Sequence, residues 1–234
     1  MTSVISAGGS IVAPNKVDEL YLQKFVRLIE ELLREDDERQ FIFVVGGGGP
    51  ARAWQSAYRG VSEALGRTAD DNQADWIGIM ATRLNAQLVK ALFGAYCVED
   101  VVTDPSAGES ASFAGRILLA AGWKPGFSSD NDAVLLAKRF GAKTVINLSN
   151  IEAVYTADPK IDPSAKPISG ISWKDFRLLT GDVWTPGKNV PFDPVASRNA
   201  EEAGIEVICA AGHDLDNLRK IICGNSYTGT LIHA

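Results

Sequence analysis

Histidine is almost missing from this chain: two occur in 234 residues, His213 and His233, both near the C-terminus. A histidine-based triad or metal cluster is hard to build from these, and the patterns H-E-x-x-H and G-x-S-x-G are absent. His213, in Gly212-His213-Asp214, reads as a surface or capping residue at a strand-to-helix turn. Cysteine is scarce too. Cys97, Cys209 and Cys223 form no C-x-x-C pair, so they read as buried small hydrophobes in a reducing compartment and not as a disulfide framework. No segment approaches the roughly 18 apolar residues of a membrane span, and the start, Met1-Thr2-Ser3-Val4, lacks a basic region and a long apolar stretch. A soluble, cytoplasmic protein is expected. Positive charge is in deficit, with 23 Lys+Arg against 29 Asp+Glu, net charge −6 and a pI near 5.0. That balance works against non-specific binding to nucleic acid or anionic membranes, so a polyanionic ligand must be held by local donors.

What is present is an alternation of short apolar runs with helical patterns, in one domain without repeats or linkers, the signature of an α/β fold around a mostly parallel sheet. Val4-Ile5 leads into a glycine turn. Val17, Leu20, Tyr21, Leu28 and Leu32 recur at helical spacing and predict a helix over Asp18–Arg34. Phe41–Val45 suits a strand covered on both faces, followed by a helical stretch to about Tyr58. Asp75–Leu92 reads as a helix with Ile77, Met80, Leu84, Leu88 and Leu92 on one face. Further strands are expected at Ile117–Ala121, Thr144–Leu148, Ile205–Ala210 and Thr228–Ile232, with helices over Asp132–Phe140 and from an Asp214 cap to Cys223. Asp158–Pro194 holds six of the ten prolines and reads as a long, partly irregular surface excursion.

Gly46-Gly47-Gly48-Gly49-Pro50-Ala51-Arg52 is the strongest local signal. Glycine lets a backbone approach a ligand and aim its N–H groups, Pro50 suits the first helical position, and a helix N-terminus favours an anion. Arg52 adds a planar, permanently charged fork suited to phosphate. A tight structural turn beside a surface arginine is the plainer reading. Gly8-Gly9-Ser10 is a second such turn; parallel strands would place both along one sheet edge. Neither is a P-loop, and G-x-G-x-x-G is missing. In Gly122–Asp132, Ser128, Ser129 and Asp130 either cap the next helix or line a nucleotide site, with Asp130 orienting a lysine or metal. After Thr144–Leu148, Asn150 falls beyond the sheet edge, Tyr155 offers a ring face to a base, and Asp158 can accept from a ribose; Asp158-Pro159 is equally a common turn.

Taken in order, these segments resemble the amino acid kinase family, most closely its archaeal-type uridylate kinases, from Gly8 to Ile232. Asp75–Ile79, Ala81–Ala86, Ser149-Asn150, Val154–Pro159, Ala165–Ile168, Phe192–Pro194 and Gly229-Thr230 carry the likeness further. The resemblance implies a three-layer αβα sandwich around a mainly parallel, roughly eight-stranded sheet, as in acetylglutamate kinase. Residues 1–122 would mainly form the acceptor lobe and 123–234 the ATP lobe. It further implies ATP-dependent phosphorylation of UMP, with Mg²⁺, by a homo-oligomer, hexameric in relatives.

Carried across residue by residue, Gly47, Asp75 and the loop Trp123, Lys124, Pro125, Gly126, Phe127, Ser128 and Ser129 would take UMP. Gly9, Ser10, Gly48 and Arg52 would face the ATP phosphates, and Ser149, Asn150, Tyr155 and Asp158 the ribose and base. Arg52, Asp130, Lys166 and Asp193 are the catalytic candidates, Lys166 toward the transferring phosphoryl group and Asp193 for ordering a lysine or magnesium. Three positions depart from the family pattern. Ser6 and Ala7 stand where bacterial members carry a lysine, Ser128-Ser129 replaces a threonine pair, and Gly122-Trp123-Lys124-Pro125 is bulkier and more basic than usual. Two alternatives stay open. One is another small-molecule kinase of the family, acting on a carboxylate, carbamate or isoprenoid phosphate. The other is a non-catalytic nucleotide or oxyanion binder on the same fold. The isoprenoid-phosphate and storage types rely on histidines that this chain lacks before residue 213.

Overall fold

A computed structural model describes residues 2–108, 111–181 and 190–234. Strand β1 (Thr2–Ala7) runs into a one-turn helix α1 (Gly9–Val12), then α2 (Glu19–Glu35), β2 (Gln40–Val45), α3 (Gly48–Ala64) and α4 (Asp71–Phe93). Next come β3 (Ile117–Ala120), α5 (Ser129–Phe140) and β4 (Thr144–Ser149). A two-stranded antiparallel arm follows, β5 (Val154–Tyr155) with β6 (Pro167–Ile168). The chain closes with β7 (Gly170–Ser172), α6 (Trp173–Thr180), α7 (Pro194–Ala203), β8 (Glu206–Ala211), α8 (Leu215–Ile222) and β9 (Thr230–His233).

Among the described residues the main sheet has seven strands in the order β3-β2-β1-β4-β8-β9-β7, one fewer than the roughly eight expected. Every pairing is parallel except β8 with β9. The central strands are apolar on both faces because each face is covered. Ile5, Phe41, Phe43, Ile117 and Leu119 pack against α2, α4 and α8. Val4, Ile42, Val44, Leu118 and Val207 pack against α5, α6 and α7. The αβα sandwich is thereby realised. Asp18 caps α2 by accepting the Tyr21 N–H (2.9 Å), and Gly141 ends α5 in the left-handed conformation that glycine adopts without strain. No helix among the described residues is long and apolar enough to cross a membrane.

Several expectations need correction. α3 continues to Ala64, because nothing breaks the helix before Gly66. α4 turns its small residues inward: Ala74, Gly78, Ala81, Asn85 and Ala86 are buried with Ile79, Val89 and Phe93. Met80, Leu84 and Leu92, from the apolar face that the spacing picked out, are exposed. Cys97 and Cys209 are buried, whereas Cys223 is exposed at the end of α8. The proline-rich stretch is not mere surface excursion, since Trp173, Phe176 and Phe192 are fully or almost fully buried there. Its residues 182–189 lie outside the described residues.

The order of the strands places the crevice. From β1 the chain moves outward through β2 and β3, then returns to the other side of β1 for β4 and β8. Ligands of open α/β sheets bind beyond the C-terminal strand ends at such a reversal, here between β1 and β4.

Candidate active site

The first glycine turn leaves β1 at this reversal, and the second, leaving the neighbouring β2, meets it backbone to backbone. The Gly46 N–H donates to Ala7 O (3.1 Å) and the Gly49 N–H to Ala13 O (2.8 Å). A Cβ on Gly9 would lie 2.0 Å from the Gly48 nitrogen, and one on Gly48, whose φ is +63°, would lie 2.2 Å from Gly9 O. Only glycine fits at either position. The turn after β1 is a helical turn, Gly9–Val12, and not a plain loop. α3 begins at Gly48, so its positive end opens beside Gly9; in its first turn the Gly49 N–H is taken by Ala13 O, Pro50 has none and the Ala51 N–H bonds Gly47 O, which leaves the Gly48 N–H for a ligand. Arg52, exposed in the first turn of α3, donates to Pro14 O (2.8 Å) and so braces the segment after α1.

Asp130, expected as a catalytic group, is held between β1 and the start of α7. The Ser6 hydroxyl, from β1, donates to Asp130 Oδ1 (3.1 Å), and the Asp193 N–H donates to Oδ2 (3.3 Å). Burial, reinforced by the charge of Asp193, pushes the Asp130 carboxyl up to about 6. Asp193 caps α7 by accepting the Ala196 N–H (2.8 Å). Cys209 lies close enough that its thiol, already raised by burial, is pushed up to about 12 with Asp130 contributing. Among the described residues no group of three or more His, Cys, Asp or Glu side chains comes together as a metal cage.

The loop 122–128 between β3 and α5 is drawn onto α4. Thr82 Oγ1 accepts the Gly122 N–H (2.8 Å), Arg83 donates to Trp123 O (3.1 Å), and Asp75 Oδ2 accepts the Gly126 N–H (3.1 Å). Lys124–Phe127 is a turn with Pro125 second and Gly126 third, at φ +81°, closed by the Phe127 N–H on Lys124 O (3.2 Å). Within it Trp123 and Phe127 pack ring to ring at 4.8 Å, and the Lys124 ammonium lies 3.8 Å from the Trp123 ring centre. Ser128 accepts the Asn131 N–H (3.2 Å), so the capping reading holds for Ser128 while Ser129 opens α5.

The remaining expected residues are less tightly gathered. The Ser149 hydroxyl accepts the Ile151 N–H at the end of β4, and Asn150 is exposed just beyond. Tyr155 lies on the arm, and Asp158 is occupied with the Lys160 N–H (2.9 Å) in a turn. Lys166 is exposed beside β6; its backbone N–H donates to Thr156 Oγ1, and no hydrogen bond or ion pair among the described residues ties its ammonium to a glycine turn. Two positions in the segment Ala81–Ala86, which carried the likeness but was given no role from the sequence, support the site. Buried Asn85 donates to Gly46 O (2.9 Å) and Gly47 O (3.1 Å), and Thr82 serves both the loop root and the wall beside Gly47. The signal was a polar residue on the inner face of a helix, hidden because the outer face is the more apolar one.

Residues 1–211 match the family described as "Amino acid kinase family". A uridylate kinase of Methanospirillum hungatei is 33% identical over 99% of this chain and 94% of its own length. One from Pyrococcus abyssi is 30% identical over 99% of each chain. The crystal structure of uridylate kinase from Archaeoglobus fulgidus superposes with a TM-score of 0.81 at 31% identity, covering 99% of this chain and 100% of that one. A UMP kinase structure from Bacillus anthracis, 20% identical with a TM-score of 0.75 over 99% and 95% of the two chains, shares the fold.

Proposed function

Since the chain belongs to the amino acid kinase family, we propose that it transfers the terminal phosphoryl group of ATP to UMP, giving ADP and UDP for pyrimidine nucleotide synthesis. The observation that carries this reading is the contact of two glycine turns at the strand-order reversal, with a separate loop docked one helical turn away on α4. In the transfer, the bond from the γ-phosphorus to the β-bridging oxygen breaks as a UMP phosphate oxygen bonds to that phosphorus. The second ionisation of a phosphate monoester lies near pH 6, so the acceptor is already anionic at neutral pH and needs no base. Positioning and charge neutralisation remain for the protein. Backbone N–H groups of Gly9, Ser10 and Gly48, the α3 N-terminus, Arg52 and Lys166 would supply the latter.

Magnesium enters with the nucleotide as Mg-ATP. Mg²⁺ typically keeps several waters and binds through substrate phosphates more than through an all-protein cage, which suits a site without a three-ligand cluster among the described residues. Residues 1–122 form the acceptor side in this reading and 123–234 the ATP side, with the loop 123–129 closing over UMP from across the boundary. Ser149, Asn150, Tyr155 and Asp158 are assigned to the ATP ribose and base, and Gly47 and Asp75 to UMP. The partner proposed for the outer face of α4 is a second copy of the chain, in a cytoplasmic homo-oligomer, hexameric as the resemblance implies.

Coupled ADP release with Mg-ATP across UMP, CMP, dUMP, AMP and GMP tests the reading. UMP should yield UDP, with purine monophosphates about 100-fold poorer in kcat/KM, since a wrong base leaves buried polar groups unpaired. ADP release with none of the five would remove the kinase reading. Equal turnover of AMP and UMP would remove the acceptor assignment alone.

A further inference from the structure

Asp132 lies two residues beyond Asp130 in the first turn of α5, and its side chain is fully buried. Its Oδ2 accepts the Trp123 N–H at 3.2 Å, and its Oδ1 has no hydrogen-bond partner among the described residues. Burial pushes its carboxyl up to about 7; the Trp123 N–H acts the other way, and Asp130 and Asp104 add smaller rises. Burying an acid with one oxygen unmet is costly, and such a group calls for a reason. Helix capping is not the reason, because Ser128 already accepts the Asn131 N–H. Nor does general packing require it, because an apolar side chain of the same shape would fill the space without the penalty.

What Asp132 does hold is the root of the loop 122–128. The other described side-chain tethers of that loop's backbone, from Thr82, Arg83 and Asp75, all come from α4. Asp132 pulls from the opposite side, and from the same helical turn that presents Asp130. Trp123 is the point of attachment and also the ring against which Phe127 and Lys124 pack. A shift of its backbone therefore moves the whole loop face.

We propose that Asp132 is a positioning residue that ties the acceptor loop to the turn carrying Asp130 and so sets the spacing between bound acceptor and transferring group. This rests on the reading of 122–128 as the acceptor loop. Asp132→Leu keeps the branched shape in a larger volume and removes both the acceptor oxygen and a buried acid, so urea midpoints of the variant are read first to establish that it folds, and Asp132→Ala, which removes the acceptor without overpacking, repeats the test. Asp132→Asn keeps an oxygen for the Trp123 N–H. Steady-state kinetics should give Asp132→Leu a KM for UMP about tenfold or more above the unaltered enzyme, with KM for ATP within about twofold. Asp132→Asn should restore the UMP constant to within about threefold. Hydrogen exchange at the Trp123 amide should accelerate in the Leu variant and not in the Asn variant. Phe127→Ala serves as the control. If it leaves the UMP constant unmoved, the acceptor reading of the loop falls. If it raises that constant while Asp132→Leu does not, the positioning role alone is overturned. Equal shifts of both substrate constants in the Leu variant, with unchanged amide exchange, would likewise overturn it.

Discussion

Ser6, near the C-terminal end of β1, acts on the acid Asp130. A hydroxyl cannot neutralise a phosphate, but it holds one oxygen of Asp130 while the Asp193 N–H holds the other. Asn85 does comparable work for the second glycine turn by bracing two successive carbonyls. Asn85→Ala would leave Gly46 O and Gly47 O without that donor in a closed site, and should lower unfolding stability by about 1–3 kcal/mol in urea titrations. Asn85→Asp should do worse, because its carboxylate meets two carbonyl oxygens. The raised acids give a pH signature of defined sign. Asp130 at about 6 and Asp132 at about 7 lie above the unfolded value of 3.8, so the folded chain binds more protons than the unfolded one between about pH 4 and 7. Their contribution to stability is present below pH 4 and is lost as pH rises through that window. Asp132→Asn should therefore gain stability over the unaltered chain progressively from pH 4 to about 7 and level off above, as read from urea midpoints. A constant difference at all pH values would mean that Asp132 is not titrating there.

At the scale of elements, α4 shows where periodicity misleads. Large apolar residues at four-residue spacing identified the helix correctly, yet the inner face is the one lined by Ala74, Gly78, Ala81, Asn85 and Ala86. Small residues let α4 approach the sheet and Gly47, and Met80, Leu84 and Leu92 are left outside. Hydrophobicity alone cannot distinguish a core from a face awaiting a partner. The glycine turns, by contrast, were legible because close backbone approach demands one residue type. The brace from Asn85 and the pull of Asp132 were not, since a buried polar residue has no sequence pattern of its own. On the first turn of α3 and at the edge of the arm, Arg52 and Lys166 are assigned to one developing charge. Arg52→Ala and Lys166→Ala should each lower kcat by roughly 10²–10³, with UMP affinity little changed and a combined loss short of additive. Values within about twofold, at saturating substrates, would leave Arg52 as the brace on Pro14 and Lys166 as a solvated surface charge.

For the molecule as a whole, the α/β class and the mainly parallel sheet were legible in the alternating buried runs and helical patterns, the three layers came from the family resemblance, and the order of strands came only from the structure, with the arm and α6 obscured by proline. The outer face that they leave open is extensive. Trp76 is 37% exposed, Met80 54% and Leu84 72%, along a helix of 23 residues that spans about 35 Å. On the adjoining α3, Trp54 is 68% exposed. Spacings of four residues about Met80 give a stripe that can pair with its own copy around a two-fold axis, Trp76 of one copy facing Leu84 of the other. Leu84→Glu should shift sedimentation toward the monomer, whereas Leu178→Glu, at an exposed position of α6 on the other face of the sheet, should not. Sedimentation of the unaltered chain as a monomer at micromolar concentration would dismiss the pairing.

The abutting backbones of Gly9 and Gly48 carry a consequence for how this protein tolerates change. Each excludes any side chain on the other, so the two turns cannot drift separately under random substitution, even though neither pair of atoms needs to touch a nucleotide to be constrained. A mutational library should find both positions closed to replacement for reasons of fit. No second-site change among side chains can reopen them, because the colliding atoms are main chain.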